Sequence, residues 1–347
     1  MTDKLQAFFE QYYPGVEYTP IVAATPAALR AALGGTLEPP EPPGPPGPPE
    51  PQPARQLVSL HIQESAGPWL EFITLVQPTV VKLVFGMERA EQIKQVSPGT
   101  KVVYRPWVAH QGEFWEAEPH KGAHAFLATF KDSLLRCAAW IDYVETLNEL
   151  IATDDIPGIQ RTVAFDIAFC EALAEIGYPA RPIILTAGVG NPQHGDQTRL
   201  LIPAARAAVE AGGALGYHAY WGARPGYCTM PTAWQHYAGR ALESWDPVFR
   251  EAGLYPDYIF GECGAIYEES GVGMPSAGAG WKYKATLAGD WQAYLAQILD
   301  FRRRLNEWNA THGGRCLGAT LFTVGGGDEW KYFELSGQLA ALAEAVK

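Results

Sequence analysis

Short apolar runs recur along residues 55–347, and they alternate with longer stretches in which apolar positions repeat at helical spacing. The eight short runs, rich in β-branched and aromatic residues, are 57–62, 80–85, 101–105, 141–147, 182–186, 215–219, 257–261 and 317–323. The clearest helical stretches, apolar at i, i+3, i+4 and i+7, are 123–140, 159–177, 198–213, 290–308 and 333–346. This alternation predicts parallel strands joined by helices.

Eight such units fit a (β/α)8 barrel, the TIM-barrel form of the α/β class. Their combined length of about 290 residues is typical of that fold. No G-x-G-x-x-G or Walker loop follows any of the eight runs, which disfavours a doubly wound, nucleotide-binding sheet. We therefore expect one barrel domain over residues 55–347.

A proline-rich stretch separates this domain from the start of the chain. Residues 39–53 read PPEPPGPPGPPEPQP, with ten prolines in fifteen positions. Proline restricts φ and donates no backbone hydrogen bond, so we expect residues 39–54 to form an extended polyproline spacer. The preceding segment, residues 1–38, is predicted to contain one helix at 25–33 and is too short for a core of its own.

Charge and composition narrow the range of partners. A net charge of −12 disfavours a nucleic-acid partner, because a phosphate backbone needs positive charge to bind it. No apolar stretch reaches the ~18–20 residues of a membrane span. The eleven Trp, sixteen Tyr and fourteen Phe residues fit a neutral, ring-shaped ligand such as a carbohydrate, although many of them must form core. We expect a monomer.

The cysteines and the first residues of the chain bear on the compartment in which it is expected. Five scattered cysteines include no C-x-x-C pair, so neither a zinc ribbon nor a disulfide framework is predicted. The opening residues MTDKLQAFFEQYY contain no apolar signal-peptide core. A cytoplasmic location is the default expectation, and export by another route or an incomplete chain stay open.

Two glutamates follow predicted strands on what should be the same face of the barrel. Glu149 comes after the fourth strand, in ETLNE, and Glu262 ends the seventh, in DYIFGECG. Strands four and seven lie on opposite sides of a barrel mouth, and chemistry in this fold occurs at the carboxyl ends of the strands. Two carboxylates facing each other across a cleft are what glycoside hydrolysis requires. The small residues Gly261 and Gly264 are expected to leave room for a substrate beside Glu262.

These positions resemble the motifs of clan A glycoside hydrolases, which are retaining (β/α)8 enzymes that cleave β-linked sugars. Asn148-Glu149 ends the fourth strand, His218-x-Tyr220 the sixth and Glu262 the seventh. The resemblance implies that Glu149 is the general acid/base and Glu262 the nucleophile. It also implies that Asn148 binds the sugar 2-hydroxyl, that Tyr220 holds Glu262, and that no metal or cofactor is needed. His218 takes the place of a histidine that the clan often has near this tyrosine.

Other expected substrate-binding residues match the clan less closely. Arg105 ends the third strand, whereas the clan's active-site arginine usually ends the second. Many clan members carry a tryptophan at the end of strand eight, where this chain has Phe322-Thr323. We expect Trp281 to replace that tryptophan, and Trp107 to be another stacking residue.

Three further residues inside strands are expected to have structural roles. Lys82 and Glu145 lie within strands two and four and are predicted to form a buried ion pair. Cys263 lies beside Glu262, but strand alternation should point it away from the mouth and into packing.

Two other functions stay open. A barrel that binds a glycan without hydrolysing it would use the same aromatic residues. A metal-dependent barrel hydrolase is less consistent with the sequence, because strand one ends in Leu60-His61-Ile62-Gln63 and lacks a His-x-His pair. The sequence does not indicate which sugar is bound, or whether cleavage is at the end of a chain or within it.

Overall fold

The computed structural model describes residues 56–63, 67–222, 229–267, 279–283, 287 and 289–347. The expected N-terminal segment (1–38), its helix at 25–33 and the proline-rich spacer (39–54) lie outside the described residues.

The strands form a closed parallel barrel. In chain order they are β1 (Val58–Ile62), β2 (Val80–Leu83), β3 (Lys101–Tyr104), β4 (Tyr143–Glu145), β5 (Arg181–Ala187), β6 (Ala214–Trp221), β7 (Asp257–Tyr267), β8 (Ala279–Gly280) and β9 (Cys316–Val324). Strands β1 to β7 pair in sequence, β7 pairs with β9, and β9 returns to β1, all in parallel. The short β8 is antiparallel to β7 and lies outside this ring. The predicted (β/α)8 barrel is confirmed, with β9 as its eighth strand.

Helices alternate with the barrel strands. They are α1 (Trp69–Val76), α2 (Arg89–Val96), α3 (Gln111–Glu116), α4 (Pro119–Ala128), α5 (Lys131–Arg136), α6 (Ile156–Glu175), α7 (Gly195–Arg199), α8 (Ile202–Glu210), α9 (Met230–Ala233), α10 (Asp246–Glu251), α11 (Trp291–Thr311) and α12 (Leu339–Val346). Two π-helical turns, Trp234–Ala238 and Ala241–Trp245, separate α9 from α10, and a 3-10 turn, Ser336–Gln338, precedes α12. Within the described part of the chain, no helix is both long enough and apolar enough to cross a bilayer.

Two predicted helices are interrupted. The stretch 123–140 divides into α4 and α5, because Phe130, with φ −134° and ψ 0°, leaves the helical region between them. The stretch 198–213 divides into α7 and α8, where Pro203 occupies the first turn of α8. Proline has no N–H to continue a preceding helix, so a new helix begins there.

Side-chain alternation along the strands builds two layers inside the barrel. The lower layer is apolar and forms a cluster of its own, comprising Val80, Val103, Tyr143, Ile183, Ala214 and Ile259. Two residues further along a strand, the side chain faces the same side again. Lys82 therefore lies above Val80, Arg105 above Val103 and Glu145 above Tyr143. Directly below the mouth, therefore, the apolar lower layer is followed by a layer that contains charged side chains.

Candidate active site

The two glutamates predicted from the strand ends lie close together at the barrel mouth. One carboxylate oxygen of Glu149, one of Glu262 and a ring nitrogen of His218 all lie within 4.8 Å of one another. Glu262 is buried, whereas the side chain of Glu149 is 38% exposed. Glu149 has a φ of 55°, in the left-handed region that non-glycine residues rarely adopt, and such strain is typical of functional sites.

A β-bulge in β7 aims Glu262 into the barrel. Tyr217 of β6 pairs with Phe260, but the next residue, His218, pairs with Glu262, so Gly261 is left out of the register. Ile259 and Gly261 already face the interior, so simple alternation would turn Glu262 outward. The extra residue of the bulge turns it back toward the mouth, as bulges near active sites commonly do.

The glycines beside Glu262 make room for the protein itself, so the expectation that they leave space for substrate was wrong. A Cβ on Gly261 would lie 2.9 Å from Nζ of Lys82, and one on Gly264 would lie 2.9 Å from the hydroxyl oxygen of Tyr294. Cys263 is fully buried, with its thiol 3.5 Å from the carbonyl oxygen of Phe260, which agrees with its expected packing role.

Donors and cations hold Glu262 as an anion. The Tyr220 hydroxyl donates to its Oε2 at 2.9 Å, and Nη1 of Arg105 donates to its Oε1 at 2.8 Å. Burial alone would raise the pKa of Glu262. The positive charges of His218, Lys82 and Arg105 outweigh that effect and hold the pKa well below its ordinary value. Glu262 is therefore ionised at neutral pH.

The predicted ion pair of Lys82 and Glu145 lies directly beneath the two glutamates. Nζ of Lys82 is 2.8 Å from Oε2 of Glu145, and both side chains are buried. Burial acts to raise the pKa of Glu145, but the neighbouring Lys82 charge lowers it to about 2. Because Nζ is also 3.6 Å from Oε1 of Glu262, the pair belongs to the charge network of the site and is not only structural.

His218 bridges the candidate catalytic residues. Its Nδ1 lies 2.6 Å from Oε1 of Glu149 and 3.5 Å from Oε2 of Glu262. Burial alone would lower the pKa of this imidazole, but the carboxylates of Glu262 and Glu149 raise it to about 9. His218 is thus a cation at neutral pH and donates to Glu149. His61 is different, because burial lowers its pKa and leaves it neutral.

Asn148 is fixed by two neighbours. Nη1 of Arg105 donates to its side-chain oxygen at 2.6 Å. Gln111 makes two hydrogen bonds of 2.8 Å to its backbone, one through its amide nitrogen and one through its amide oxygen. Sequence reasoning missed Gln111, because a polar residue at the first position of a short helix carries no motif.

An open cavity of about 700 Å³ lies above these residues. Its polar lining includes Gln63, Arg105, Asn148, Glu149, Asn191, Gln193 and Glu262. Its aromatic lining comprises Phe85, Trp107, Tyr220, Tyr237, Phe322, Trp330 and Phe333. The lining thus combines aromatic rings with charged and amide groups that can fix the orientation of a ligand. Of the predicted stacking residues, Trp107 lies in this cleft.

The expectation that Trp281 lines the cleft was wrong. Its ring is 3% exposed and stacks on Tyr294 of α11 at 5.3 Å, and its Nε1 donates to the carbonyl oxygen of Phe333. Trp281 is absent from the described residues that line the cavity. Two other tryptophans also pack away from it. Trp115 in α3 donates to the Thr162 hydroxyl, and Trp221 at the end of β6 is fully buried.

Trp330 occupies the wall that the sequence left without a tryptophan. It follows β9 in the run GGGDEW and packs edge-on against Phe322 at 4.9 Å. Glu334 holds this loop in place, because its carboxylate accepts hydrogen bonds from the backbone N–H groups of Gly325, Gly326 and Ser336. The sequence does show a tryptophan shortly after the last strand. Whether its side chain points into the cleft depends on the hydrogen bonds to Glu334 that close this loop.

Metal chemistry fits these residues poorly, although Glu149, His218 and Glu262 have the spacing of metal ligands. Arg105 and Lys82 already compensate the charge of Glu262 from 2.8 and 3.6 Å. His218 carries the proton that a ligating nitrogen would have to lose. A divalent cation at this position would be repelled by the positive charges of Arg105, Lys82 and His218.

Comparison with known proteins gives similarity in structure alone. No family model and no curated protein sequence matches the chain. A glycoside hydrolase family 5 enzyme from Prevotella bryantii is 12% identical with a TM-score of 0.47, over 85% of this chain and 97% of that one. The endo-β-1,4-mannanase of Thermotoga petrophila is 13% identical with a TM-score of 0.47, over 85% and 77%. An endo-β-1,3-glucanase of Amycolatopsis mediterranei is 14% identical with a TM-score of 0.44, over 83% and 99%.

Proposed function

We propose that this chain is a retaining β-glycoside hydrolase that acts by double displacement. The observation that carries the proposal is the separation of at most 4.8 Å between a carboxylate oxygen of Glu149 and one of Glu262. Retaining enzymes hold their two carboxyl groups about 5–5.5 Å apart, whereas inverting enzymes leave about 6.5–9.5 Å for a water molecule. The short spacing of these two oxygens supports the retaining arrangement.

In the first step, Glu262 attacks the anomeric carbon of the sugar and forms a glycosyl ester. Glu149 acts here in its protonated form: while its Oε1 accepts from His218, its other oxygen gives a proton to the glycosidic oxygen as the bond from that oxygen to the anomeric carbon breaks. Glu262 is suited to attack because it is ionised, and because Tyr220 and Arg105 fix its two oxygens. In the second step, Glu149 takes a proton from water, and the resulting hydroxide oxygen displaces Glu262 from the anomeric carbon.

Neighbouring residues support these roles. His218 donates to Oε1 of Glu149 and thereby orients the candidate acid/base toward the cleft. Asn148, whose side-chain oxygen accepts from Arg105, lines the same cavity as Glu149 and Glu262 and is suited to bind a sugar hydroxyl. The cleft surrounds these polar groups with aromatic walls, which match the apolar C–H faces of a β-linked sugar. Carbohydrate is therefore the proposed substrate class.

The test is turnover of a panel of 4-nitrophenyl β-glycosides that includes both monosaccharide and oligosaccharide members. We expect hydrolysis of at least one member, and a loss of at least roughly a thousandfold in kcat for Glu262→Gln, because removal of a nucleophile has effects of that order or larger. Glu171→Gln on the exposed face of α6 is the matched control and should keep full activity. A wild-type chain that binds oligosaccharides but hydrolyses none of the panel would instead be a non-catalytic glycan-binding barrel.

A further inference from the structure

A pair of exposed aromatic rings borders the cleft on the side of β2 and β3. Phe85 follows β2 and Trp107 follows β3, and their side chains are 41% and 56% exposed. The rings lie 6.1 Å apart, and both line the same cavity as Glu149 and Glu262. In the described part of the chain only one other aromatic residue, Tyr255, is comparably exposed. Adjacent exposed aromatics at the edge of a cleft mark a surface that a ligand covers.

A second aromatic surface lines the same cavity. It is formed by Phe322, Trp330 and Phe333, which pack against Tyr220 beside Glu262. In the ring of strands, β1 separates β2 from β9, the strand that carries Phe322. The two aromatic surfaces are therefore distinct, and a substrate that contacts both must extend along the cleft.

The loop that carries Trp107 is anchored to the catalytic strand. Gln111, four residues later, makes its two hydrogen bonds to the backbone of Asn148. Arg105, two residues earlier, donates to the side chain of Asn148 and to Glu262. Trp107 thus lies between two anchors that both end at the candidate active site. Such preorganisation reduces the entropy that binding costs.

Resting on the proposed function, we infer that Phe85 and Trp107 form a second sugar-binding subsite, separate from the one at Glu262. A sugar ring stacks there through its apolar C–H face, and Gln63 and Arg105, which line the same cavity, offer donors to its hydroxyl groups. The chain therefore acts on β-linked oligosaccharides or polysaccharides that occupy both surfaces, and monosaccharide glycosides are its poorer substrates.

The experiment measures how binding depends on oligosaccharide length. Glu262→Gln protein is titrated by calorimetry with β-1,3- and β-1,4-linked gluco- and manno-oligosaccharides of two to six units, with and without Trp107→Ala. We expect affinity to rise with oligosaccharide length. Trp107→Ala should weaken the binding of the longer oligosaccharides about tenfold, which corresponds to about 1.4 kcal/mol of binding free energy. Trp107→Phe should keep most of the gain. Tyr255→Ala, which removes an exposed aromatic outside the cleft, should change nothing.

Turnover separates this inference from the proposed function. In the otherwise wild-type chain, Trp107→Ala should lower kcat/KM for the longer oligosaccharides about tenfold more than for a 4-nitrophenyl β-monoglycoside, whereas Tyr255→Ala should change neither value. If the wild-type affinity gains nothing with length, or if Trp107→Ala preserves the whole gain, the second subsite does not exist. Hydrolysis of the aryl glycoside can still succeed or fail independently, because that reaction tests Glu149 and Glu262 and not Trp107.

Discussion

Nζ of Lys82 lies 3.6 Å from Oε1 of Glu262 in the interior of the barrel, where the lysine side chain has no contact with solvent. A buried charge is tolerated only when it is paired. The same ammonium group also pairs with Glu145 at 2.8 Å. The candidate nucleophile is therefore part of the network that compensates charge in the core, and its activity and the stability of the fold depend on the same residue.

Replacing Lys82 by methionine should cost about 3–5 kcal/mol of unfolding free energy, because two carboxylates would be left in the interior with less compensation. Urea unfolding measures this loss. Lys101→Met is the matched control, since Lys101 pairs with Asp142 at 3.0 Å on the surface, and exposed pairs contribute less than about 1 kcal/mol. If both variants lose the same unfolding free energy, the buried pairs of Lys82 contribute no more than a surface pair, which contradicts the prediction.

The raised pKa of His218 predicts a loss of stability at alkaline pH. The folded pKa is about 9 and the unfolded value about 6.5, so the folded state holds the proton more tightly. The resulting stabilisation is fully present below about pH 6.5 and is lost as pH rises through about 9. His218→Gln should flatten the urea midpoint across this window, whereas His110→Gln on the surface should not. A wild-type midpoint that is constant from pH 6.5 to 9 contradicts the prediction.

Asp166 predicts a second window at lower pH. This α6 carboxyl group is buried, and burial raises its pKa to about 7 despite the hydrogen bond from the Leu185 N–H. The folded state thus binds the proton more tightly than the unfolded state, whose pKa is about 3.9. The stabilisation that proton binding to Asp166 provides is therefore fully present below about pH 4 and should be lost as the pH rises through about 7. Asp166→Asn should remove that decline in urea midpoints, and an unchanged slope would show that Asp166 is ionised throughout.

The barrel could be predicted from sequence because each strand is buried on both faces and appears as a short run of apolar, β-branched residues. The strand ends then place Glu149, Glu262 and Arg105 at one mouth by topology alone. The direction of individual side chains could not be predicted in the same way. Glu262 depends on a bulge at Gly261 that hydrophobic patterning does not indicate.

The prediction that Trp281, rather than Trp330, lines the cleft failed for a similar reason. Both tryptophans follow a barrel strand in a glycine-containing stretch, so local sequence does not distinguish them. Tyr294 stacks on the first, and Glu334 closes the loop that carries the second. These are contacts between residues far apart in the chain or across a loop, and they become visible only once the fold is assembled.

Azide should distinguish the roles of the two glutamates. Glu149→Ala should retain the first step with an activated leaving group such as 2,4-dinitrophenol, which departs without a proton. Azide can then enter where Glu149 stood and should yield a β-glycosyl azide. Glu262→Ala should instead give the α-azide, because azide replaces the nucleophile on the opposite face. The two products are distinguished by NMR coupling constants, and the same anomer from both variants would refute the assignment of separate roles.

The stereochemistry of the first product tests double displacement most directly. A β-glycoside that the wild-type chain hydrolyses is followed by ¹H NMR in deuterated buffer, before mutarotation mixes the anomers. With Glu262 as nucleophile and Glu149 as acid/base, two successive inversions should release the β-anomer first. Initial release of the α-anomer would mean a single displacement by water, and would contradict the proposed roles of Glu149 and Glu262.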